Sequence, residues 1–228
     1  MKQKQTIIVA GGSGKRMGNN IPKQFIEVAG QPILMHTIAR FFEVDPLMDI
    51  IVVLPENQHG YWSELLHKYN FSIKHKLAKG GTERFYSVLN GIKLISPNSL
   101  VAIHDGVRPL VSQKTIKNCF YAAEKNGAAI PVIAATESIR KVENDKNMAV
   151  NRNNFFMVQT PQVFQSELLI KAYKQKYNSS FTDDAGVVEK AGFSIYLVEG
   201  NTENIKITRP VDLKIAQALL NDKTNAKS

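Results

Sequence analysis

A chain of 228 residues with 43% hydrophobic and 21% charged content can bury a substantial core, which sets it apart from disordered classes and fits most simply one domain spanning 1–228. Its formal net charge of +9, from 29 basic against 20 acidic residues, suits an anionic partner; the basic residues are scattered rather than blocked with aromatics, which argues against nucleic acid. No apolar run of about 18 residues occurs and the N-terminus leads into a strand, so no membrane partner is expected and the expected location is cytoplasmic.

The first strand signal is Thr6-Ile7-Ile8-Val9, which runs into Ala10-Gly11-Gly12-Ser13-Gly14-Lys15-Arg16-Met17-Gly18. Closely spaced glycines let successive backbone N–H groups converge on one anion, and Lys15 and Arg16 add positive charge. The pattern is neither a P-loop, because Arg16 follows Lys15 where a hydroxyl is needed, nor a dinucleotide fingerprint, because Gly18 comes one residue late. A tight strand-to-helix turn is the alternative reading of such a loop. Pro22-Lys23-Gln24 follows, a lysine on a stiffened segment able to fold back over the loop.

Apolar residues at 34, 38, 41 and 42 predict a helix begun at Pro32, and Asp49 to Leu54 reads as a buried parallel strand. A polar helix through Tyr61 to Tyr69 and a strand from Ile73 to Leu77 continue an α/β alternation. Gly80-Gly81 then opens a helix with a stripe of Phe85, Val88, Leu89 and Ile92, while Arg84 and Ser87 share another face that looks toward the glycine pair. Bare backbone at a base and a plain turn both fit this stretch. The strand Leu100 to His104 ends in Asp105-Gly106-Val107-Arg108-Pro109, an acid and an arginine at the edge where open α/β sheets bind ligands. Asp105 also suits a turn, and His104 reads as structural.

Ser112 caps a helix from Gln113 to Asn126 stopped by Gly127, with the single Cys119 on its apolar face beside Ile116, Phe120 and Ala123. After the strand Ala128 to Ile133, two short runs flank Glu143-Asn144-Asp145-Lys146 as a β-hairpin with little apolar content of its own. Thr182 is the expected N-cap of the next helix, where it could also touch a phosphate or polyol oxygen. A strand Phe193 to Val198, the stretch Asn204-Ile205-Lys206-Ile207-Thr208-Arg209-Pro210, and a helix Val211 to Leu220 follow, with 221–228 expected as a disordered tail.

The order Gly-Gly-x-Gly-x-Arg-Met, a short gap, then Pro-Lys-Gln resembles the signature of sugar-phosphate nucleotidyltransferases. Its Pro-Lys-Gln form is similar to the 2-C-methyl-D-erythritol 4-phosphate cytidylyltransferase family, and the resemblance extends to Gly80, Gly81, Arg84, Ser87 and Val88, to His104 through Pro109, to Arg152 with Thr160-Pro161-Gln162, and to Asn204-Ile205-Lys206. It implies a Rossmann-like, mostly parallel sheet flanked by helices, with a protruding β-hairpin dimerisation arm at approximately 136–157. It also implies cytidylyl transfer from CTP to the polyol phosphate with Mg2+ or another divalent cation, in isoprenoid precursor biosynthesis. A ribitol-5-phosphate cytidylyltransferase and a non-catalytic nucleotide sensor are the alternatives.

Carried over position by position, the resemblance implies catalytic roles for Arg16, Lys23, Arg152 and Lys206. Nucleotide binding would fall to Ala10, Gly11, Gly12, Ser13, Gly14, Gly80, Gly81, Arg84, Ser87 and Asp105, the last also a metal ligand. The sugar phosphate would meet Gly106, Arg108, Ser138, Thr182 and Arg152, the arginine acting across a homodimer. Gly106 and Val107 stand where the family has two alanines, Asn151 where it has an aspartate, Ser138 for its threonine, and Glu203 is the nearest equivalent of another aspartate.

Overall fold

The structure, a computed structural model, describes residues 2–11 and 21–225. In chain order its strands are β1 (Gln3–Val9), the two-residue ribbon β2 (Glu27–Val28) and β3 (Gln31–Pro32), β4 (Asp49–Leu54), β5 (Lys76–Lys79), β6 (Ser99–Asp105), β7 (Ala128–Ala134), β8 (Ile139–Glu143), β9 (Lys146–Val150), β10 (Phe156–Val158), β11 (Gln162–Gln165) and β12 (Tyr196–Glu199). The helices are α1 (Ile33–Val44), α2 (His59–Lys68), α3 (Arg84–Ile92), α4 (Gln113–Asn126), α5 (Ser166–Ala172), α6 (Asp184–Lys190) and α7 (Pro210–Asn225). The main sheet runs β10-β7-β11-β6-β1-β4-β5, with β12 joined to β7. Strands β5, β4, β1 and β6 are parallel, β11 runs antiparallel between β6 and β7, and β12 is parallel to β7.

The continuous apolar runs of β1, β4 and β6 are explained by cover on both faces. On one side Ile8, Val52 and Leu100 pack with Ile38 and Phe41 of α1, Trp62 of α2, and Ile116, Cys119 and Phe120 of α4. On the other, Ile7, Ile51, Val53 and Ile103 pack with Phe85 and Val88 of α3, Leu169 of α5 and Val187 of α6. Cys119 is fully buried as expected, and burial pushes its thiol up to about 12. A third cluster seats α7 through Ala216 and Leu220 against Val107, Leu110 and Val28. Among the described residues no helix is long and apolar enough to cross a membrane.

Two edge strands lie later than their apolar residues suggest. The strand expected at Ile73–Leu77 pairs from Lys76 to Lys79 instead, because His75 is held out of the ladder by bonds to the Trp62 indole (3.0 Å) and to the Ile73 carbonyl (2.8 Å). The strand expected at Phe193–Val198 begins at Tyr196, with Phe193 and Ile195 packing onto the α5–α6 side from irregular backbone. Helix α7 runs on through Asn225, so the expected tail is helical to that residue; Gln217 donates to Asn221 one turn on at 3.0 Å.

The hairpin expected near residue 145 is present as β8 and β9, an isolated two-stranded sheet turned at Asn144 and Asp145, whose φ values of 46° and 62° suit a type I′ turn. Residues Phe156–Val158 pair antiparallel with β7 in the main sheet and so stand apart from the β8–β9 hairpin.

Candidate active site

Register sets the site. Val9 lies beside Asp105 and Val53 at the carboxyl ends of β1, β6 and β4, and the chain leaves β1, β6 and β5 through a backbone hydrogen bond to a neighbouring strand: Ala10 N–H to Val53 O at 2.9 Å, Gly106 N–H to Val9 O at 2.8 Å, Gly80 N–H to Leu54 O at 2.8 Å. The exits of β1, β5 and β6 therefore converge on one crevice, where doubly wound sheets place their ligands.

Two adjoining clefts open there. One is lined by Ala10, Gly11, Lys23, Gln24, Gly81, Arg84, Ser87 and Val107; the other by Arg108, Gln159, Thr160, Gln162, Thr182 and Asp183. Arg84, Asp105 and Lys206 line both.

Asp105 is the node between them. Its Oδ2 lies 3.1 Å from both the Arg108 Nε and the Lys206 Nζ, and its Oδ1 lies 3.8 Å from the Arg84 Nε. Burial alone would raise the carboxyl pKa, but Arg84, Lys206 and Arg108 outweigh it and hold the group well below the usual carboxylate range.

On the glycine side, Ser87 Oγ accepts from the Gly81 N–H at 3.0 Å and donates to the Glu83 carbonyl at 3.2 Å, so the serine ties down the loop preceding α3. A Cβ on Gly81 would overlap Tyr86 Cβ and come within 2.9 Å of the Tyr86 carbonyl carbon, so only glycine permits this closure. Lys23 sits on a single helical turn, Lys23–Phe25, whose Phe25 is buried against Trp62 (5.9 Å, near-parallel) and edge-on to Tyr61 (5.3 Å). Those rings fix where the lysine enters the cleft.

Arg84 is committed elsewhere as well as to Asp105. Its two terminal nitrogens grip the fully buried Asp184 at 2.8 and 2.6 Å, and the Tyr173 hydroxyl adds a third bond to that carboxylate at 2.6 Å. Burial would lower the guanidinium pKa; Asp184 and Asp105 more than reverse this and raise it. Asp184 is the partner that motif reading missed, since nothing local marks a contact across 100 positions. The network of Gln159, Thr160 and Asn204 beneath the second cleft was missed for the same reason.

Thr182 lines the second cleft but does not cap α6. That role belongs to Asp183, which accepts from the Gly186 N–H at 2.9 Å and leaves the threonine exposed. Gly106 is buried with its N–H given to Val9 and its carbonyl accepting from Thr37 at 3.1 Å; a Cβ there would lie 2.7 Å from Ala10 Cβ. Val107 is buried and its carbonyl accepts from Ile207 N–H at 3.0 Å, which fastens the Lys206 segment to the end of β6. Arg152 and Ser138 are exposed on the segments flanking the β8–β9 hairpin and line neither cleft; the Arg152 guanidinium donates to the Thr136 carbonyl at 2.6 Å. Gly12, Ser13, Gly14 and Arg16 lie outside the described residues.

No group of three or more metal-binding side chains occurs among the described residues. Asp105 fits a hard divalent cation in one limited way, as a single carboxylate whose Oδ1 lies 3.8 Å from the Arg84 Nε, and bound phosphates would have to supply the remaining ligands.

Glycine backbone and fixed cations at the carboxyl edge of a mostly parallel sheet define an α/β protein of the nucleotide-handling class. The sequence profile of 2-C-methyl-D-erythritol 4-phosphate cytidylyltransferase (IspD) matches residues 5–222. Proteins of that name from Bacteroides fragilis and Phocaeicola vulgatus are 51% and 50% identical, over 94% and 95% of this chain and 98% and 99% of theirs. The crystal structure of 4-diphosphocytidyl-2C-methyl-D-erythritol synthase from Anaerococcus prevotii superposes with a TM-score of 0.82 at 30% identity, covering 96% of each chain. That of the Thermus thermophilus cytidylyltransferase gives 0.78 at 31%, covering 97% of this chain and all of the other. The chain belongs to the 2-C-methyl-D-erythritol 4-phosphate cytidylyltransferase family.

Proposed function

We propose that the chain transfers the cytidylyl group of CTP to 2-C-methyl-D-erythritol 4-phosphate, giving 4-diphosphocytidyl-2-C-methyl-D-erythritol and pyrophosphate in isoprenoid precursor synthesis. The relatives' shared name supports the reaction. The observation that carries its placement is the Arg84–Asp105–Lys206 node, one charged cluster lining two clefts. CTP lies in the cleft at Gly11, Gly81 and Ser87, and the acceptor in the cleft at Arg108 and Thr182.

An acceptor phosphate oxygen attacks the α-phosphorus of CTP, a new P–O bond forms, and the bond to the bridging oxygen breaks with its electron pair leaving on pyrophosphate. No covalent enzyme intermediate is required, so the protein's work is to align two anions and offset charge. Lys23, with Arg16, meets the triphosphate; Lys206, shared by both clefts, faces the α-phosphorus between the substrates. Asp105 keeps the cations spaced before substrate arrives. Magnesium or another divalent cation, held by Asp105 and phosphate oxygens, would supply charge neutralisation between the substrates.

The arm supports a homodimer in which Arg152 reaches the acceptor phosphate of the other subunit. Val142 and Met148 on the hairpin are 69% and 61% exposed, an apolar surface that a second copy would cover.

The decisive assay is pyrophosphate release from CTP with magnesium, comparing 2-C-methyl-D-erythritol 4-phosphate with ribitol 5-phosphate. Release with the first alone is expected. Release with ribitol 5-phosphate alone would move the protein to the other polyol, and CTP binding without release from either would make it a nucleotide sensor.

A further inference from the structure

Beneath the acceptor cleft the polar groups close into a cycle. The Thr160 hydroxyl lies 3.0 Å from His104 Nδ1, and His104 Nε2 lies 3.1 Å from the Arg108 carbonyl. The Arg108 guanidinium donates to the Asn204 carbonyl at 2.7 Å, and the Asn204 amide donates to the Thr160 carbonyl at 2.8 Å. One spur leaves the cycle, as the Asp105 N–H donates to Thr160 Oγ1 at 3.2 Å.

Proton positions in the cycle are forced. A carbonyl faces His104 Nε2, which must therefore carry a hydrogen. Both groups facing the buried ring are neutral, so the ring holds that one hydrogen and Nδ1 is bare, accepting from the Thr160 hydroxyl. His104 is fully buried, with its ring edge-on to Phe41 at 5.0 Å, so no water competes for either nitrogen.

We propose that His104 is a positioning residue for the acceptor side of the site: its two hydrogen bonds lock the Arg108 backbone and, through Thr160, the Asp105 backbone, so that both side chains present one fixed geometry to the acceptor phosphate. The inference rests on the cytidylyl-transfer reading above. It separates His104 from an ordinary core histidine because one of its hydrogen bonds ends on the Arg108 carbonyl and the other on the Thr160 hydroxyl that holds the Asp105 N–H.

The test is a double-substitution cycle on the full chain, with KM measured separately for CTP and for the polyol phosphate. His104→Asn keeps a polar atom near Nδ1 but loses the reach to Arg108; the lost hydrogen bond should raise the acceptor KM about tenfold and the CTP KM less than about twofold. His104→Gln restores a donor near Nε2 and should recover most of that loss. In an Arg108→Ala background, His104→Asn should change the acceptor KM less than about threefold, because only the part it exerts through Asp105 remains. A further tenfold loss in that background, or an equal loss for CTP, would overturn the proposal. The tautomer is read independently of turnover by long-range 15N correlation of the histidine rings: a protonated Nδ1 at His104 would overturn the cycle even in an active enzyme. A wild-type chain that turned over neither acceptor would overturn the reaction reading and the positioning role with it.

Discussion

Replacing Arg84 by alanine tests what holds the two clefts together. The guanidinium makes two bonds, at 2.8 and 2.6 Å, to a carboxylate with no exposed surface, and the Asp184 partner sits in the first turn of α6. Without Arg84 the Asp184 charge keeps, among the described residues, the Tyr173 hydroxyl and its helix N-terminus, far too little to replace lost hydration. Breaking one side of a buried pair costs about 3–5 kcal/mol, against about 1 kcal/mol or less for an exposed pair. Urea unfolding of Arg84→Ala should therefore show a loss of about 3 kcal/mol or more, and adding Asp184→Asn should return a large part of it by removing the stranded charge. A loss below about 1 kcal/mol, or a double variant no more stable than the single one, would refute the view that this pair ties α3 to α6.

Three further outcomes follow from the geometry. Gly81→Ala places a Cβ against the Tyr86 backbone, so the loop must move and release its bond to Ser87; CTP affinity should fall at least about tenfold, measured by calorimetry, with about 1–3 kcal/mol lost in stability. Lys206→Ala removes the cation shared by both clefts and should cut turnover about 100-fold or more in the pyrophosphate assay, while thermal stability changes little because the lysine is 43% exposed. Acidification should destabilise the fold: His104 is lowered from 6.5 to about 4, so the native state binds fewer protons than the unfolded chain, and about 3 kcal/mol present above pH 6.5 is lost as the pH falls toward 4. His36 and His75, also lowered by burial, act in the same direction, and a melting temperature unchanged between about pH 7 and pH 5 would contradict all three.

Elements with their own periodicity were legible from residues alone. Strands β1, β4 and β6 are apolar runs because both faces are covered, and α4 carries its Ser112 cap and its Gly127 stop in plain view, the cap bond to Thr115 N–H measuring 3.0 Å. Edge strands were less legible. Their apolar residues pack against helices from either strand or coil, and for β5 the choice was made by a Trp62–His75 bond that no local pattern announces. In the site, residue types at strand ends pointed to the crevice, and Lys23, Arg84, Ser87, Asp105, Arg108, Thr182 and Lys206 do meet there. What stayed hidden was commitment: spacing shows that Arg84 can face the glycine pair, but not that most of its hydrogen bonding goes to Asp184.

The carboxylate shared by the two clefts also bears on what the empty protein ignores. Asp105 already engages Arg108 and Lys206, each at 3.1 Å, so a lone orthophosphate must compete with an internal counter-ion for either cation. Two anions arriving side by side offer more than that single acid can match. Internal competition of this kind makes the cleft a coincidence detector, weak toward any one phosphate and responsive to the pair that can react.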